Sequence, residues 1–431
     1  MSSTKTQEKL EMKDILELFT SGCTAEQKIG IEYERIPIFS DTKRAADYYS
    51  EPGMCSLLQD FAREDNWDYI TDGNDIIGLK QGHDAIMLEP GCQLEMSLEP
   101  VAMIYDLVKK INSINKKMKP VLKRNGIELI GYGVSPISTH KTIKLIPKKR
   151  YHIMAKYLWG ILSDVMMRET AGIQVCLDFE NEQDAARKFK IANKLTPFMT
   201  AMFANSPIRG GVDTGYKTFR ALSWLNTDNE RCGFAADVDL FEDYVNYVLN
   251  SPIIFINRGN TAIEVNGRTT FAEFMKHGWN GLTAELDDFK LHANLYFPEV
   301  RLRKFIEIRN HDCVNNGLQY AIPAIYKGIL YNETAMNDIE ELFSMFNSED
   351  FAELRYNVPK NALNCKISGF DVSDIAQDIL DIAQKSLKNE AAYIDPIREL
   401  TRQGLSPADI ILKNWHGSWN KDINKLIRHV G

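Results

Sequence analysis

The 431-residue sequence predicts an α+β fold built on an antiparallel sheet. Strand-type and helix-type patterns interleave without the regular spacing that is typical of a parallel βαβ sheet. No internal repeat, low-complexity tract or Pro/Gly/Ser-rich linker divides the chain. Beyond about residue 315 the pattern becomes mostly helical. We therefore expect a single domain over residues 1–431, with the sheet within about 20–314 and a helical region within about 315–431.

Apolar periodicity predicts the individual elements in order. Helical spacing covers residues 8–21, 101–125, 150–167 and 182–204. Strand-type alternation covers Lys28–Phe39, 127–134, 174–179 and 299–310. The last clear helix start is Ser406-Pro407-Ala408-Asp409, where a capping serine precedes a proline suited to the first helical position.

Composition and charge exclude several classes of protein. The formal net charge is −8, which gives no overall attraction for nucleic acid. The seven cysteines are scattered without a C-x-x-C spacing, as expected for a reduced intracellular protein. The N-terminus is polar, and no apolar stretch reaches the ~20 residues of a membrane helix. We expect a monomer or homodimer that binds neither nucleic acid nor membrane. The protein should be cytoplasmic or organellar, and the cytoplasm is the expected location.

The strongest chemical signal is a set of carboxylates on strand faces. Glu32 and Glu34 are two residues apart, so a strand places both on one face, opposite Ile31 and Tyr33. Further along, Pro90-Gly91 marks a turn between Glu89 and a strand whose one face carries Gln93, Glu95 and Ser97. In 299–310, Phe305, Glu307 and Arg309 share a face.

Each of these faces, taken alone, is also explained by contact with water. Brought together, however, Glu32, Glu34, Glu89, Glu95 and Glu307 would repel one another unless cations offset their charge. An oxygen-rich site of this kind suits Mg²⁺, which usually also binds phosphate oxygens. Other catalytic signatures are absent, since the sequence has no G-x-x-x-x-G-K-[ST], H-E-x-x-H or G-x-S-x-G motif.

At these residues the sequence resembles glutamate–cysteine ligase of the plant and proteobacterial type. The family patterns S-G-C, I-G-x-E-x-E and L-E-P-G-x-Q-x-E are similar to Ser21–Cys23, Ile29–Glu34 and Leu88–Glu95. Further motifs follow in the same order from about Ser21 to Trp419, and their positions are Ile76–Gly82, Pro147–Tyr151, Met166–Val175, Phe203–Pro207, Arg220–Arg231, Phe297–Arg309 and Gly404–Ala408.

The resemblance implies a glutamine synthetase-like fold, in which an antiparallel sheet curves into a funnel that holds ATP and metal. It also implies a two-step reaction, in which ATP phosphorylates the γ-carboxylate of glutamate and the amine of cysteine then attacks the acyl phosphate, the committed step toward glutathione. By motif, the five glutamates would be Mg²⁺ ligands and Arg309 would contact phosphate.

The same resemblance assigns the other site residues. Arg150 and Arg220 would hold the α-carboxylate of the substrate, with Tyr151, Trp224 and Arg231 nearby; Arg220 and Arg309 would be the catalytic arginines. Gln174 and Lys148 would join Arg309 in binding the nucleotide. The alternative for each arginine is a surface ion pair, and for Arg231 the two interpretations are left open.

Two departures from the family concern the metal contact and the acceptor amine. Cys176 stands where the family has Asn or His, and a thiol is a poor ligand for a hard cation. The family has smaller residues where this sequence has Ser97-Leu98-Glu99-Pro100. If this segment lies next to the bound acceptor, the difference would favour an amine other than cysteine. A γ-glutamyl ligase with another amine and a non-catalytic binding subunit are therefore the alternative hypotheses.

Overall fold

The computed structural model describes residues 9–234, 238–259 and 261–431. Within them the strands are β1 Ile29–Phe39, β2 Asp68–Asp72, β3 Asp75–Gln81, β4 Asp84–Leu88, β5 Leu94–Val101, β6 Ile127–Ile130, β7 Gly172–Leu177, β8 Ile208–Arg209, β9 Val212–Asp213, β10 Cys232–Gly233, β11 Phe255–Arg258, β12 Thr261–Glu264, β13 Phe297–Pro298, β14 Val300–Leu302, β15 Ile306–Asp312, β16 Lys366–Ile367 and β17 Phe370–Asp371.

The α-helices are α1 Met12–Thr20, α2 Met54–Asp65, α3 Ile104–Arg124, α4 Lys149–Tyr157, α5 Ser163–Glu169, α6 Glu182–Met202, α7 Phe219–Leu225, α8 Phe241–Leu249, α9 Phe271–His277, α10 Leu286–Asn294, α11 Leu318–Leu330, α12 Glu333–Phe343, α13 Ser348–Asn361, α14 Val372–Leu387, α15 Asp395–Arg402, α16 Pro407–His416 and α17 Ile423–Val430. Two 3₁₀ helices cover Ala362–Asn364 and Lys388–Ile394.

A nine-stranded antiparallel sheet forms the centre of the fold. Its order is β14-β15-β7-β1-β5-β4-β3-β2, and β6 pairs with the end of β1. Long β1 lies in the middle because its apolar residues Ile29, Ile31 and Tyr33 are buried between sheet and helices. Helices α6 and α11 pack against this sheet, and α11 also packs against α14 of the helical region. The predicted α+β class is therefore confirmed.

Most predicted elements appear with ends shifted by a few residues. The strand predicted over Lys28–Phe39 is β1, and the helix predicted over 182–204 is α6, which begins where the Asn181 side chain accepts from the backbone N–H of Asp184. The helix α16 begins at Pro407, as predicted, and Asp409 accepts from the backbone N–H of Ser406. The first residue of the helix predicted over 8–21 lies outside the described residues.

The single strand predicted over 299–310 is wrong. The segment is a hairpin in which β14 pairs antiparallel with β15, and Arg303 donates its backbone N–H to the carbonyl of Phe305 at the turn. Apolar residues keep their spacing of two across this turn, from Val300 and Leu302 to Ile306. Periodicity alone therefore could not reveal the turn.

The single helix predicted over 150–167 is also wrong. It is divided into α4 and α5 by an extended segment that begins at Leu158. Gly160 has a φ of +115°, and a Cβ there would lie 2.3 Å from the carbonyl oxygen of Asn226. The chain therefore needs glycine at this break. None of the described helices is long and apolar enough to span a membrane.

His311 on β15 provides a test of the core through pH. Its ring is fully buried, with Nδ1 3.0 Å from the carbonyl oxygen of Ile173 and Nε2 3.0 Å from the hydroxyl of Tyr326. Burial lowers the pKa of His311 to about 3. Since the unfolded chain takes up this proton near pH 6.5, the native state loses about 1.4 kcal/mol per pH unit as pH falls from 6.5 toward 3.

We therefore expect His311→Gln to have a shallower loss of stability with falling pH than the wild type. The measurement is urea unfolding at pH 7, 6 and 5, compared by the slope of the unfolding free energy against pH. The matched control is His83→Gln, since His83 is exposed. Equal slopes for His311→Gln and the wild type would contradict the assignment of a buried neutral histidine.

Candidate active site

Strand register brings the predicted carboxylates to one face of the sheet. Glu34 on β1 is directly opposite Glu95 on β5, and Glu32 is opposite Ser97 on the same strand. On the other side of β1, Glu32 faces Gln174 of β7, and Cys176 of β7 faces Glu307 of β15. The predicted convergence of acidic strand faces is thus present, and Glu95 and Glu307 are buried rather than directed into water.

Two of these carboxylates accept hydrogen bonds from residues of the sheet. Glu34 accepts from the backbone N–H of Gly172 and from the side-chain amide of Gln174, at 2.7 Å for the latter. Burial raises the pKa of Glu34, and the nearby Arg220 opposes the shift. Glu95 accepts from the Ser97 hydroxyl at 2.9 Å. Burial, together with the like charges of Glu32, Glu89 and Glu34, raises its pKa well above the ordinary value.

Glu307 lies in a cluster of arginines. Its two oxygens accept from Nε and Nη2 of Arg301 at 2.9 and 2.8 Å, and Arg309 donates to one of the same oxygens. Arg303 lies 3.4 Å away. These arginines outweigh the cost of burial and hold the pKa of Glu307 below its usual range. A metal ion that bound Glu307 would therefore have to displace arginine contacts.

The donor set fits a hard cation in its chemistry. Glu32, Glu34, Glu89 and Glu95 offer carboxylate oxygens that repel one another in a buried site, and burial with the Glu307 carboxylate raises the pKa of Glu32 to about 7. A divalent cation would offset this repulsion. Within 9–234, 238–259 and 261–431, however, no three acidic, histidine or cysteine side chains approach closely enough to form a complete site.

A cleft lies beside these carboxylates. The predicted site residues among its lining are Glu34, Glu89, Arg150, Tyr151, Arg220, Trp224 and Arg309. Apolar side chains complete the wall, and they include Met154, Met166, Met167 and Phe297. Residues that are far apart in sequence therefore meet around one space.

Several buried N–H groups around the cleft have no hydrogen-bond partner among the described residues. Arg220 is 2% exposed and donates Nη2 to the carbonyl of Arg309 at 2.9 Å, yet its Nε and Nη1 have no hydrogen-bond partner among the described residues. The Nε atoms of Arg150 and Arg309 and the indole Nε1 of Trp224 are likewise buried and unpaired there. Buried N–H groups are normally satisfied, so this cluster indicates a site for an anionic ligand.

A second group of predicted residues lies at the edge of the cleft near the Pro90-Gly91 turn. Tyr151 donates its hydroxyl to Glu89 at 3.1 Å, and Lys148 Nζ lies 3.2 Å from the same hydroxyl. Burial lowers the pKa of Lys148, although Glu89 opposes the shift. Lys148 thus lies beside the acidic face, within reach of a phosphate group that entered it.

Arg231 is a predicted site residue that does not line the cleft. It forms a buried ion pair with Asp228 at 3.2 Å and donates to the backbone carbonyls of Pro252 and Leu295. These contacts use its guanidinium to hold loops together. Arg231 therefore forms an ion pair, although the pair is buried and not at the surface.

The structure shows where the two departures from the family pattern lie. Cys176 lies on the acidic face, where burial and the carboxylates of Glu32 and Glu307 raise its thiol pKa well above the ordinary value and disfavour a reactive thiolate. Leu98 belongs to the core, and exposed Glu99 pairs with Lys110 at the outer side of the sheet. Ser97 of the same segment lies on the acidic face, where its hydroxyl donates to Glu95.

Sequence reasoning missed several residues that support the site. A single strand over 299–310 would separate Arg301 from Glu307. The hairpin instead places the two residues opposite each other, so the predicted strand did not reveal their contact. Asp312, Ser206 and Thr218 form a buried network behind Arg220. Asp312 is far from Ser206 and Thr218 in sequence, so no local pattern signals this network.

An antiparallel sheet with buried carboxylates on one face, beside a cleft with unpaired arginine N–H groups, defines an enzyme site for anionic substrates. Residues 28–429 match the model of glutamate–cysteine ligase family 2. The glutamate–cysteine ligases of Nicotiana tabacum and Arabidopsis thaliana are each 33% identical, over 98% of this chain and 83% of theirs. The chain therefore belongs to the glutamate–cysteine ligase family 2.

A solved structure extends the comparison to the fold. A glutamate–cysteine ligase of Francisella tularensis, in complex with AMP, superposes with a TM-score of 0.60 at 11% identity, over 95% of this chain and 89% of that one. This likeness confirms the glutamine synthetase-like fold. The comparison contradicts the expected cytoplasmic location, because the plant relatives are chloroplastic proteins.

Proposed function

We propose that this protein couples the γ-carboxylate of L-glutamate to the amine of L-cysteine, with ATP and Mg²⁺. The unpaired N–H groups of Arg220, Arg150 and Arg309 around one cleft are the observation that carries the proposal. Membership of the family supports the same reaction.

In this proposal the arginines have separate tasks. Arg150 and Arg220 bind the α-carboxylate of glutamate, whose two oxygens match the fork of guanidinium donors. Tyr151 and Trp224 form the wall beside them. Arg309 contacts the phosphate oxygens that become the acyl phosphate, and its position depends on Glu307, which pairs with it. Gln174 lies on the acidic face and Lys148 lies beside it, and both would contact the nucleotide.

The reaction balances with ATP as the only energy source. A γ-carboxylate oxygen of glutamate attacks the terminal phosphorus of ATP, and ADP leaves. The amine nitrogen of cysteine then attacks the acyl carbon, the C–O bond to phosphate breaks, and inorganic phosphate and one amine proton are released. The chain contributes position and charge neutralisation, which is what phosphoryl transfer mainly needs.

Glu32, Glu34, Glu89 and Glu95 would hold Mg²⁺, and Glu307 would join them only if its arginine contacts opened. Bound there, the metal would supply positive charge for the nucleotide phosphates. The raised pKa values of Glu32 and Glu95 are consistent with this role, since a cation is the natural partner of such a buried acidic set.

The test is an ADP-release assay with a panel of amines. We expect ADP to form only when glutamate and an acceptor are both present. Cysteine should exceed serine, alanine and 2-aminobutyrate by at least about tenfold in kcat/KM, a difference of about 1.4 kcal/mol. Omission of glutamate is the control for uncoupled ATP hydrolysis.

The other outcomes distinguish the alternative functions. Equal turnover with cysteine and the other amines would reject cysteine as the acceptor while keeping γ-glutamyl transfer. A folded protein that released no ADP with any amine would instead be a non-catalytic relative. The glutamates and arginines of the cleft argue against that alternative, because a binding subunit has no need for so many buried charges.

A further inference from the structure

Arg220 reaches the cleft from the first turn of α7 in a closely defined position. Its guanidinium lies directly over Gly172, where an added Cβ would be 2.4 Å from Nη2. It also lies over the Trp224 ring, with Cζ 5.9 Å from the ring centroid. Side-chain contacts alone therefore leave little space for another orientation, provided that the backbone of α7 begins in the right place.

Asp312, at the end of β15, lies beside the start of α7. It is 2% exposed, and one of its oxygens accepts from the backbone N–H of Asn205 at 2.8 Å and from the Ser206 hydroxyl at 2.6 Å. The other oxygen accepts from the Thr218 hydroxyl at 2.7 Å. A single carboxylate thus ties β15 to the two segments next to the start of α7.

The two hydroxyls also bind the first turn of α7. Ser206 Oγ accepts from the backbone N–H of Arg220 at 3.2 Å, and Thr218 Oγ1 accepts from that of Ala221 at 3.1 Å. A hydroxyl has only one proton to donate. Because each proton is directed to Asp312, the lone pairs remain for the helix N–H groups.

We infer that Asp312 is a positioning residue for the ligase reaction, which acts through Ser206 and Thr218 to hold Arg220 where its free N–H groups meet the α-carboxylate of glutamate. The inference rests on the proposed function, since it assumes that Arg220 binds that substrate. Asp312 itself does not line the cleft. Its contribution should therefore appear in glutamate binding rather than in nucleotide binding.

Thr218 gives a sharp test, because its hydroxyl and its shape can be changed separately. Thr218→Val keeps the volume of this fully buried side chain but removes the hydroxyl, whereas Thr218→Ser keeps the hydroxyl and leaves a small cavity. If the hydroxyl matters, Thr218→Val should raise the KM for glutamate about tenfold and Thr218→Ser should stay within twofold of wild type. The KM for ATP should change less than twofold in both.

A matched control separates positioning from loss of a helix cap. Thr270 caps α9 in the same way, accepting from the backbone N–H of Glu273 at 3.2 Å, but it does not line the cleft. Thr270→Val should therefore lower the melting temperature and leave the glutamate KM unchanged. Asp312→Asn is the second variant, and it should also raise the glutamate KM about tenfold or more.

Several results would overturn the inference. These are a wild-type glutamate KM in Thr218→Val, an equal rise of the glutamate KM in Thr218→Ser, or an equal rise of the ATP KM. A failure of the proposed function is distinguishable, because it would appear in the wild type as ADP release that does not require glutamate. Glutamate-dependent wild-type turnover with an unaffected Thr218→Val would reject the positioning role alone.

Discussion

We expect Arg220→Ala to raise the KM for glutamate about 100-fold, which corresponds to about 2.7 kcal/mol at roughly 1.4 kcal/mol per factor of ten. The loss reflects the charge-assisted hydrogen bonds that the free Nε and Nη1 atoms would make with the α-carboxylate. The KM for ATP should remain within about threefold of wild type, since Arg220 does not bind the nucleotide in the proposal.

The measurement is ADP release at varied glutamate with saturating ATP, and then at varied ATP. Arg187→Ala is the matched control, because Arg187 on α6 forms ion pairs with Glu333 and Glu340 away from the cleft. Far-ultraviolet circular dichroism establishes that the Arg220 variant is folded. An unchanged glutamate KM in a folded Arg220→Ala protein would show that Arg220 is not the clamp.

The second large effect is expected from Glu34→Gln, which should lower kcat at least about 100-fold with every acceptor amine. The glutamine removes an anionic oxygen that is a natural Mg²⁺ ligand. It also places an amide N–H where Gly172 and Gln174 already donate, so the local hydrogen bonds are no longer all satisfied. The Mg²⁺ concentration for half-maximal rate should rise about tenfold.

This prediction is tested by steady-state ADP release over a titration of Mg²⁺. Glu99→Gln is the control, since Glu99 lies on the same strand as Glu95 but is exposed and pairs with Lys110. A Glu34→Gln protein with wild-type kcat and the wild-type Mg²⁺ requirement would contradict the role of Glu34 on the acidic face.

The predicted metal site and the observed arrangement differ in one instructive respect. The sequence pattern placed Glu307 among the metal ligands, whereas the structure surrounds it with Arg301, Arg303 and Arg309. A buried carboxylate needs an opposite charge, and arginine or a cation can supply it. Which of the two does so depends on the hairpin β14–β15, which the sequence pattern did not reveal.

The sequence by itself determined the fold class and the character of each strand face. The spacing of Glu32 and Glu34 requires a common side in any strand, because side chains alternate with a period of two. The Pro90-Gly91 turn and the family motifs likewise depend on local residues only. Predictions of this kind were confirmed because their physical cause lies within a few neighbouring residues.

Only the tertiary structure decided which side chains meet. Strand register places Glu34 opposite Glu95. Packing between distant segments places Arg220 over Gly172 and pairs Arg231 with Asp228 outside the cleft. The same is true of Asp312, whose three partners come from two other segments of the chain. Local periodicity gives the face on which a residue lies, but strand order and register depend on packing between segments that are distant in sequence.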